Sequence, residues 1–166
     1  MSHLKRNQGF TLVELMITVI ILGIFSAIAI PSFTNLINNN RVQSTSNELA
    51  SLLNYARSTA AQTNATYIVC INNGIWTVKK GWDCSSASDL RSYETPAGIT
   101  ITYTNSALPM TFNSNGTTSN SPTMIICKDS DAANGYTLTV KNSGGIRVWN
   151  KGKNEAGTTL TSCTPT

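Results

Sequence analysis

The sequence predicts an α+β protein, with one long N-terminal helix packed on an antiparallel β-sheet domain. Three observations predict it. Residues 10–30 form an apolar run holding a single acid, Glu14, near its start. Apolar side chains then recur at helical spacing to about residue 62. From residue 65 the pattern changes to short β-branched and aromatic runs parted by Asn, Gly and Ser. A helix followed by a series of strands is the order of an α+β class.

The first nine residues are polar and carry His3, Lys5 and Arg6. The apolar run beyond them has the length that spans a hydrocarbon core, roughly 20 residues at about 1.5 Å each. A carboxylate in such a helix costs roughly 2.5–3.5 kcal/mol on insertion scales, which marks Glu14 as functional. A secretory signal has a shorter apolar region followed by a small-residue cleavage site. Ala27-Ile28-Ala29 mimics such a site, but Ile30-Pro31 follows and the helical pattern continues. A plain membrane anchor accounts for the length and for Lys5 and Arg6, yet not for Glu14. A cut between Gly9 and Phe10 instead leaves the run as a structural helix. Lys5 and Arg6 hold the leader in the cytoplasm by the positive-inside rule, so the rest faces outward.

Pro31 lies just past the run, where a missing N–H is expected to kink the helix. Val42, Leu49, Leu52, Leu53, Ala56 and Ala60 then form an apolar stripe, with Arg41, Gln43, Asn47, Asn54 and Arg57 between them. One helix is expected from about residue 11 to residue 62, membrane-embedded in its first half and amphipathic in its second. Asn38-Asn39-Asn40 is a stretch of poor helix propensity within it.

Residues 66–71 read as a strand, and Asn72-Asn73-Gly74 as a hairpin turn. Residues 75–79 alternate Trp76 and Val78 against Thr77 and Lys79. Residues 82–88 read as loop, 99–103 and 110–112 as strands, and 113–122 as a polar loop. Two further strands are expected at 124–128 and 136–140, and a last one at 146–149 after the turn Asn142-Ser143-Gly144-Gly145. The tail from Lys151 is polar, and its anchoring is expected to depend on Cys163. Trp76, Trp82 and Trp149 are expected in core or interface packing.

A chain of 166 residues holds one membrane helix and one globular domain. Charged residues make up only 12%, and Asn, Ser and Thr supply the polarity of the β region. The formal net charge is +4, and loss of Lys5 and Arg6 with the leader leaves 10 basic side chains against 8 acidic ones. So small an excess is weak support for nucleic-acid binding. No Gly-rich phosphate loop or acid–base pair is evident, and the single His lies in the leader, so no enzyme activity, metal or cofactor is expected. The four cysteines, Cys70, Cys84, Cys127 and Cys163, form no C-x-x-C pair. In an outward-facing domain they read as two disulfides with three pairings open. Cys70–Cys84 with Cys127–Cys163 is favoured, closing a hairpin-sized loop and stapling the tail. Cys70–Cys127 across neighbouring strands stays open.

Lys5-Arg6-Asn7-Gln8-Gly9-Phe10-Thr11-Leu12-Val13-Glu14-Leu15 resembles the class III signal of type IV pilins and type II secretion pseudopilins. The resemblance implies a pilin-like fold, cleavage after Gly9 by a prepilin peptidase and N-methylation of Phe10. It also implies that Glu14 pairs with the Phe10 amine, its own or a neighbour's, during subunit assembly, and that Pro31 kinks the helix. A buried charge requires such a partner, because breaking the pair costs about 3–5 kcal/mol. The chain then divides into leader (1–9), filament-core helix (10–30), amphipathic helix (31–63) and β-rich periplasmic domain (64–166).

Later segments resemble the GspH/FimT group within that superfamily. They are Tyr55-Ala56-Arg57-Ser58 with Ala60 and Ala61, the hairpin ending in Gly81-Trp82, and Ser143-Gly144-Gly145-Ile146-Arg147-Val148. Phe112 to Gly116 matches a further segment with one residue more between Phe and Gly than the group has. The minor-pilin members are the most similar. They imply a role in priming and capping a pilus, with other minor pilins, the major pilin, the prepilin peptidase and the inner-membrane assembly platform as partners. They imply an inner-membrane subunit with a periplasmic domain, and then a place in the pilus at its tip. A type II secretion pseudopilin is the alternative. A competence pilin is another, since some competence members bind DNA through Gly-Arg-x-Arg. Here Gly144-Gly145-Ile146-Arg147 lacks the first Arg, although Lys141, Arg147, Lys151 and Lys153 remain as a basic cluster with no acid before Glu155.

Overall fold

The computed structural model describes residues 10–85, 89–104 and 108–165. One helix, α1 (Leu12–Thr63), is followed by eight strands among the described residues. They are β1 (Tyr67–Asn72), β2 (Ile75–Lys80), β3 (Asp89–Glu94), β4 (Ile99–Tyr103), β5 (Met110–Phe112), β6 (Thr123–Lys128), β7 (Tyr136–Val140) and β8 (Ile146–Val148). The chain divides into two compact units, Met1–Asn38 and Asn39–Thr166. The boundary falls within the Asn triplet.

The first unit is the apolar half of α1. Its large side chains from Leu12 to Ile37 are exposed. Pro31 sits inside the helix, which is assigned as helix on both sides of it.

The second unit has its own core. Val42, Leu49, Leu52, Leu53, Ala56 and Ala60 of α1 are each at most 1% exposed, so the stripe is fully removed from water. They pack with Val69, Trp76, Val78, Met110 and Phe112 from one sheet and with Ile99, Met124, Ile126, Leu138 and Val140 from another. Alternate residues of each strand supply these contacts, as the period-2 pleat requires. Burial of a Leu or Phe side chain is worth about 1.5–3 kcal/mol.

The β region is two four-stranded antiparallel sheets, ordered β3-β2-β1-β5 and β4-β6-β7-β8. β1 and β2 form the hairpin read from Asn72-Asn73-Gly74, with Asn73 and Gly74 both at positive φ. β5 pairs with β1, whereas β4 pairs with β6. The strand β3 was not expected. Its residues alternate polar and exposed with half-buried, and only Leu90 and Tyr93 are apolar, because it forms an edge. Edge strands need no apolar outer face, so they lose the signal by which a strand is read. Of the three tryptophans, Trp76 is fully buried and Trp149 half-buried, while Trp82 is 70% exposed and takes no part in the core.

Cys70 is bonded to Cys84 across a separation of 14 residues, and Cys127 to Cys163 across 36. Cys70 and Cys127 lie in different sheets, on β1 and β6. The second disulfide holds the tail over the outer face of the β6 sheet. There Ile125, Cys127 and Leu160 form a small separate cluster. The Thr102 hydroxyl donates to the Cys163 carbonyl, and the Thr137 hydroxyl to the Lys153 carbonyl at 2.8 Å. Two threonines buried on the outer face of β7 are thereby satisfied, Thr137 by the tail and Thr139 by the Trp149 indole N–H at 3.0 Å.

Arg57 ties α1 to two loops. Its Nε donates to the Gly116 carbonyl at 3.2 Å and its Nη2 to the Ser143 carbonyl at 3.4 Å. The loops are themselves bonded, Thr118 N–H to the Asn142 carbonyl at 3.0 Å. Gly144, at φ +77°, lies where a Cβ would come within 1.9 Å of the Gly116 carbonyl oxygen. Close approach, as well as backbone conformation, requires glycine there.

Two outcomes follow from this packing. Gly144→Ala is expected to destabilise by clearly more than Gly157→Ala, which has a similar φ of +78° but open space around it. The strain of positive φ alone costs about 1 kcal/mol, and thermal unfolding of both variants reads the difference. Cys163→Ser is expected to lower stability by about 2–5 kcal/mol and to leave the tail open to proteolysis, checked by denaturant unfolding and limited digestion.

Candidate functional site

The start of α1 is built by Thr11 and Glu14. The Thr11 hydroxyl accepts the Glu14 backbone N–H at 3.3 Å and donates to Glu14 Oε2 at 2.8 Å. The same carboxylate oxygen accepts the Thr11 backbone N–H at 3.0 Å. This is a reciprocal capping box, in which two N–H groups that a helix start leaves orphaned are satisfied by side chains. Phe10 precedes the helix and is 78% exposed. Gly9 lies outside the described residues, as do His3, Lys5 and Arg6.

Thr11 is the residue that the sequence reading passed over. Its signal was present, since a Thr followed three residues later by Glu ahead of an apolar run is the capping-box pattern. Glu14 is thus doubly engaged, and its carboxylate is fixed at the helix start rather than trailing along the helix face.

Beyond this cap the helix is fitted to an apolar surrounding. Three of its hydroxyls are turned onto its own backbone: Thr18 to Leu15 at 2.8 Å, Ser26 to Leu22 at 2.7 Å and Thr34 to Pro31 at 2.9 Å. A polar group facing lipid or packed helices needs such internal satisfaction. Pro31 has no N–H to give, so one bond of the ladder is absent at that turn. By length and composition α1 can cross a membrane.

Each basic residue of the C-terminal region has a partner, but only that of Lys141 is a carboxylate. Lys141 forms an ion pair with Glu155. Lys151 Nζ donates to Asn134 at 2.9 Å and Lys153 Nζ to Thr159 at 3.4 Å. The Arg147 guanidinium stacks over Trp149 at 3.9 Å from the ring centroid. Among the described residues no group of three or more His, Cys, Asp or Glu side chains could hold a metal ion.

The sequence of the second unit decides the family. Residues 45–144 match the family model of the type II transport protein GspH. The chain belongs to the GspH family. Residues 4–30 match the prokaryotic N-terminal methylation motif, a span that includes the capped start and the apolar run. The type IV minor pilin FimU of Pseudomonas aeruginosa has a similar structure, with TM-score 0.62, 25% identity, and coverage of 75% of this chain and 96% of that one. The minor pseudopilin EpsH of Vibrio cholerae shares the fold, with TM-score 0.52 and 12% identity over 66% of this chain and 96% of that one. The type IV major pilin protein PilA of Myxococcus xanthus is 71% identical over 28 residues, 17% of this chain and 13% of PilA. The chain spans 13% to 40% of the length of the curated relatives it matches. This GspH-family chain is therefore a member of the type IV pilin superfamily, a set of structural proteins, with an N-terminal helix that fits a membrane-anchored pilin.

Thr11→Ala is expected to remove the side-chain half of the capping box, at a cost of about 1 kcal/mol. Amide hydrogen exchange of the first turn of α1 in detergent micelles is expected to quicken, while exchange in the β region stays unchanged.

Proposed function

We propose that this chain is a minor type IV pilin that helps prime and cap assembly of the pilus filament. The observation that carries the reading is the exposed apolar half of α1 with one carboxylate fixed at its start. A helix that leaves its large apolar side chains uncovered requires lipid or other helices against it. In the membrane the anchored precursor meets the first of these needs, and in a filament neighbouring α1 helices meet the second.

Processing supplies the missing charge. Cleavage between Gly9 and Phe10 by a prepilin peptidase releases an amine at Phe10, which N-methylation leaves protonated. Glu14 then has a cation within reach of the helix start, its own or that of the subunit beside it. The charge on Glu14 is costly in an apolar surrounding until it is paired, so pairing drives the subunit into register with its neighbours. The kink proposed at Pro31 lets the helix bend where its ladder lacks a bond. The β domain faces the periplasm and then sits at the pilus tip, where its surface selects among other minor pilins, the major pilin and the assembly platform. The likeness to the minor pilin FimU over three-quarters of the chain favours this branch.

A second reading is a type II secretion pseudopilin, favoured by the match of residues 45–144 to the type II transport protein model. DNA uptake has less support, because Lys141 is neutralised by Glu155 and Gly145 stands where the Gly-Arg-x-Arg segment has its first Arg.

Glu14→Ala is expected to leave cleavage at Gly9–Phe10 intact and to cut incorporation into sheared filaments by about a hundredfold or more, the order of effect of one unpaired buried charge. Wild-type incorporation would sink the pairing role. Deletion of the gene separates the branches, with lost surface pili for a pilus subunit and lost exoprotein secretion for a pseudopilin.

A further inference from the structure

The second unit carries a groove of about 550 Å³ between the outward face of α1 and the neighbouring β3 strand and β5–β6 loop. Ser51, Asn54 and Ser58 recur along the helix side of it, and Arg57 and Arg91 enter from either flank. No Asp or Glu is among its lining residues. The ion pairs among the described residues join Lys79 to Asp89, Lys128 to Asp129 and Lys141 to Glu155, so neither groove arginine has a carboxylate partner there.

Both guanidinium groups are nonetheless held in place by neutral groups. Arg57 is fixed by the Gly116 and Ser143 carbonyls, and Arg91 by Ser51 Oγ at 3.2 Å and by the Tyr55 ring at 5.4 Å from its centroid. A guanidinium has five N–H donors, so these bonds leave most of them unspent. Two oriented, half-buried cations without counter-charge form a site already arranged for an anion, with little ordering left to cost on binding.

We propose that this groove binds an acidic peptide segment of a partner subunit, its carboxylates seated on Arg57 and Arg91. The planar fork of arginine matches a carboxylate with paired hydrogen bonds. Asn54 Nδ2 and Ser58 Oγ already donate to the Ala50 and Tyr55 carbonyls and Ser51 Oγ accepts from Arg91, which leaves the side-chain oxygens of Asn54 and Ser58 as acceptors and the Ser51 hydroxyl as a donor toward a peptide laid beside α1. Nucleic acid fits less well, since tracking a backbone takes a line of several free cations and this groove offers two. The inference rests on the pilin reading only in taking another subunit as the source of the segment.

The test is fluorescence polarisation of labelled hexaglutamate against the full-length chain in detergent micelles, with labelled hexaglutamine and hexathymidylate as comparisons. Hexaglutamate is expected to bind, and hexaglutamine not. Arg91→Gln is expected to weaken hexaglutamate about tenfold, the effect of one charge-assisted hydrogen bond. Ser58→Glu, which places an acid in the groove without touching the Arg57 clasp, is expected to abolish binding. Lys80→Gln, which lies outside the groove, is expected to leave binding unchanged, and circular dichroism confirms that each variant is folded. The proposal is overturned if hexaglutamine binds as well as hexaglutamate, or if Lys80→Gln weakens binding as much as Arg91→Gln. Tighter binding of hexathymidylate, lost in Arg91→Gln, also overturns it in favour of nucleic acid. Because the titration reads unassembled subunits, its failure leaves the pilus reading standing, and wild-type incorporation of Glu14→Ala leaves the groove standing.

Discussion

One helix has to satisfy two different surroundings, and the rest of the molecule is arranged around that requirement. From Val42 to Ala60 the stripe of α1 is sealed from water by side chains of both sheets. Before Asn38 the same helix has no such cover and is apolar on all sides, with its hydroxyls bonded to its own backbone. The first arrangement is that of a globular core and the second that of a lipid or filament helix. The sheets exist to complete the first. Each buries its inner face by lying against the stripe.

The second half of the chain is held largely by devices other than ion pairs. Charged residues are scarce, and the outer face of the β6 sheet is covered by a polar tail instead of by an apolar layer. That tail has little apolar surface with which to hold itself, so Cys127–Cys163 and the hydroxyls of Thr102 and Thr137 do so. On the opposite side of the core, Arg57 performs a similar task for the loops after β5 and β7 by donating to their carbonyls. An arginine used in this way keeps its charge, and the same clasp that stabilises the loops leaves a cation fixed at the rim of a groove.

The helix and most strands were legible in the sequence because each carries its own periodicity. The 3.6-residue stripe of α1, the Asn-Gly turn between β1 and β2 and the alternation in β4 and β7 are local signals. β3 escaped because an exposed edge strand has no apolar face to repeat. The division into two sheets escaped because pairing of β1 with β5 instead of with β4 is decided by which inner faces can meet α1, a non-local matter. Among the candidate functional residues, Glu14 stood out as a charge in an apolar run. The role of Thr11 was visible in its spacing to Glu14, while Arg57 read as a polar position between apolar ones and as part of a family segment, with no sign of the carbonyls it would clasp.

The sequence by itself determined the superfamily and the capped start of the helix, because those depend on residues within a few positions of one another. The Gly9–Phe10 junction, Thr11 and Glu14, and the length of the apolar run need no tertiary contact to be recognised. Tertiary structure alone decided which of three disulfide pairings forms, since Cys70 and Cys127 lie on separate sheets. It decided that Lys141 pairs with Glu155, 14 residues away, while Arg147, Lys151 and Lys153 have neutral partners. It also brought Arg57 and Arg91 to one groove from a helix and a strand edge. Charges separated along the chain acquire partners, or remain without them, only when the fold has placed them in space.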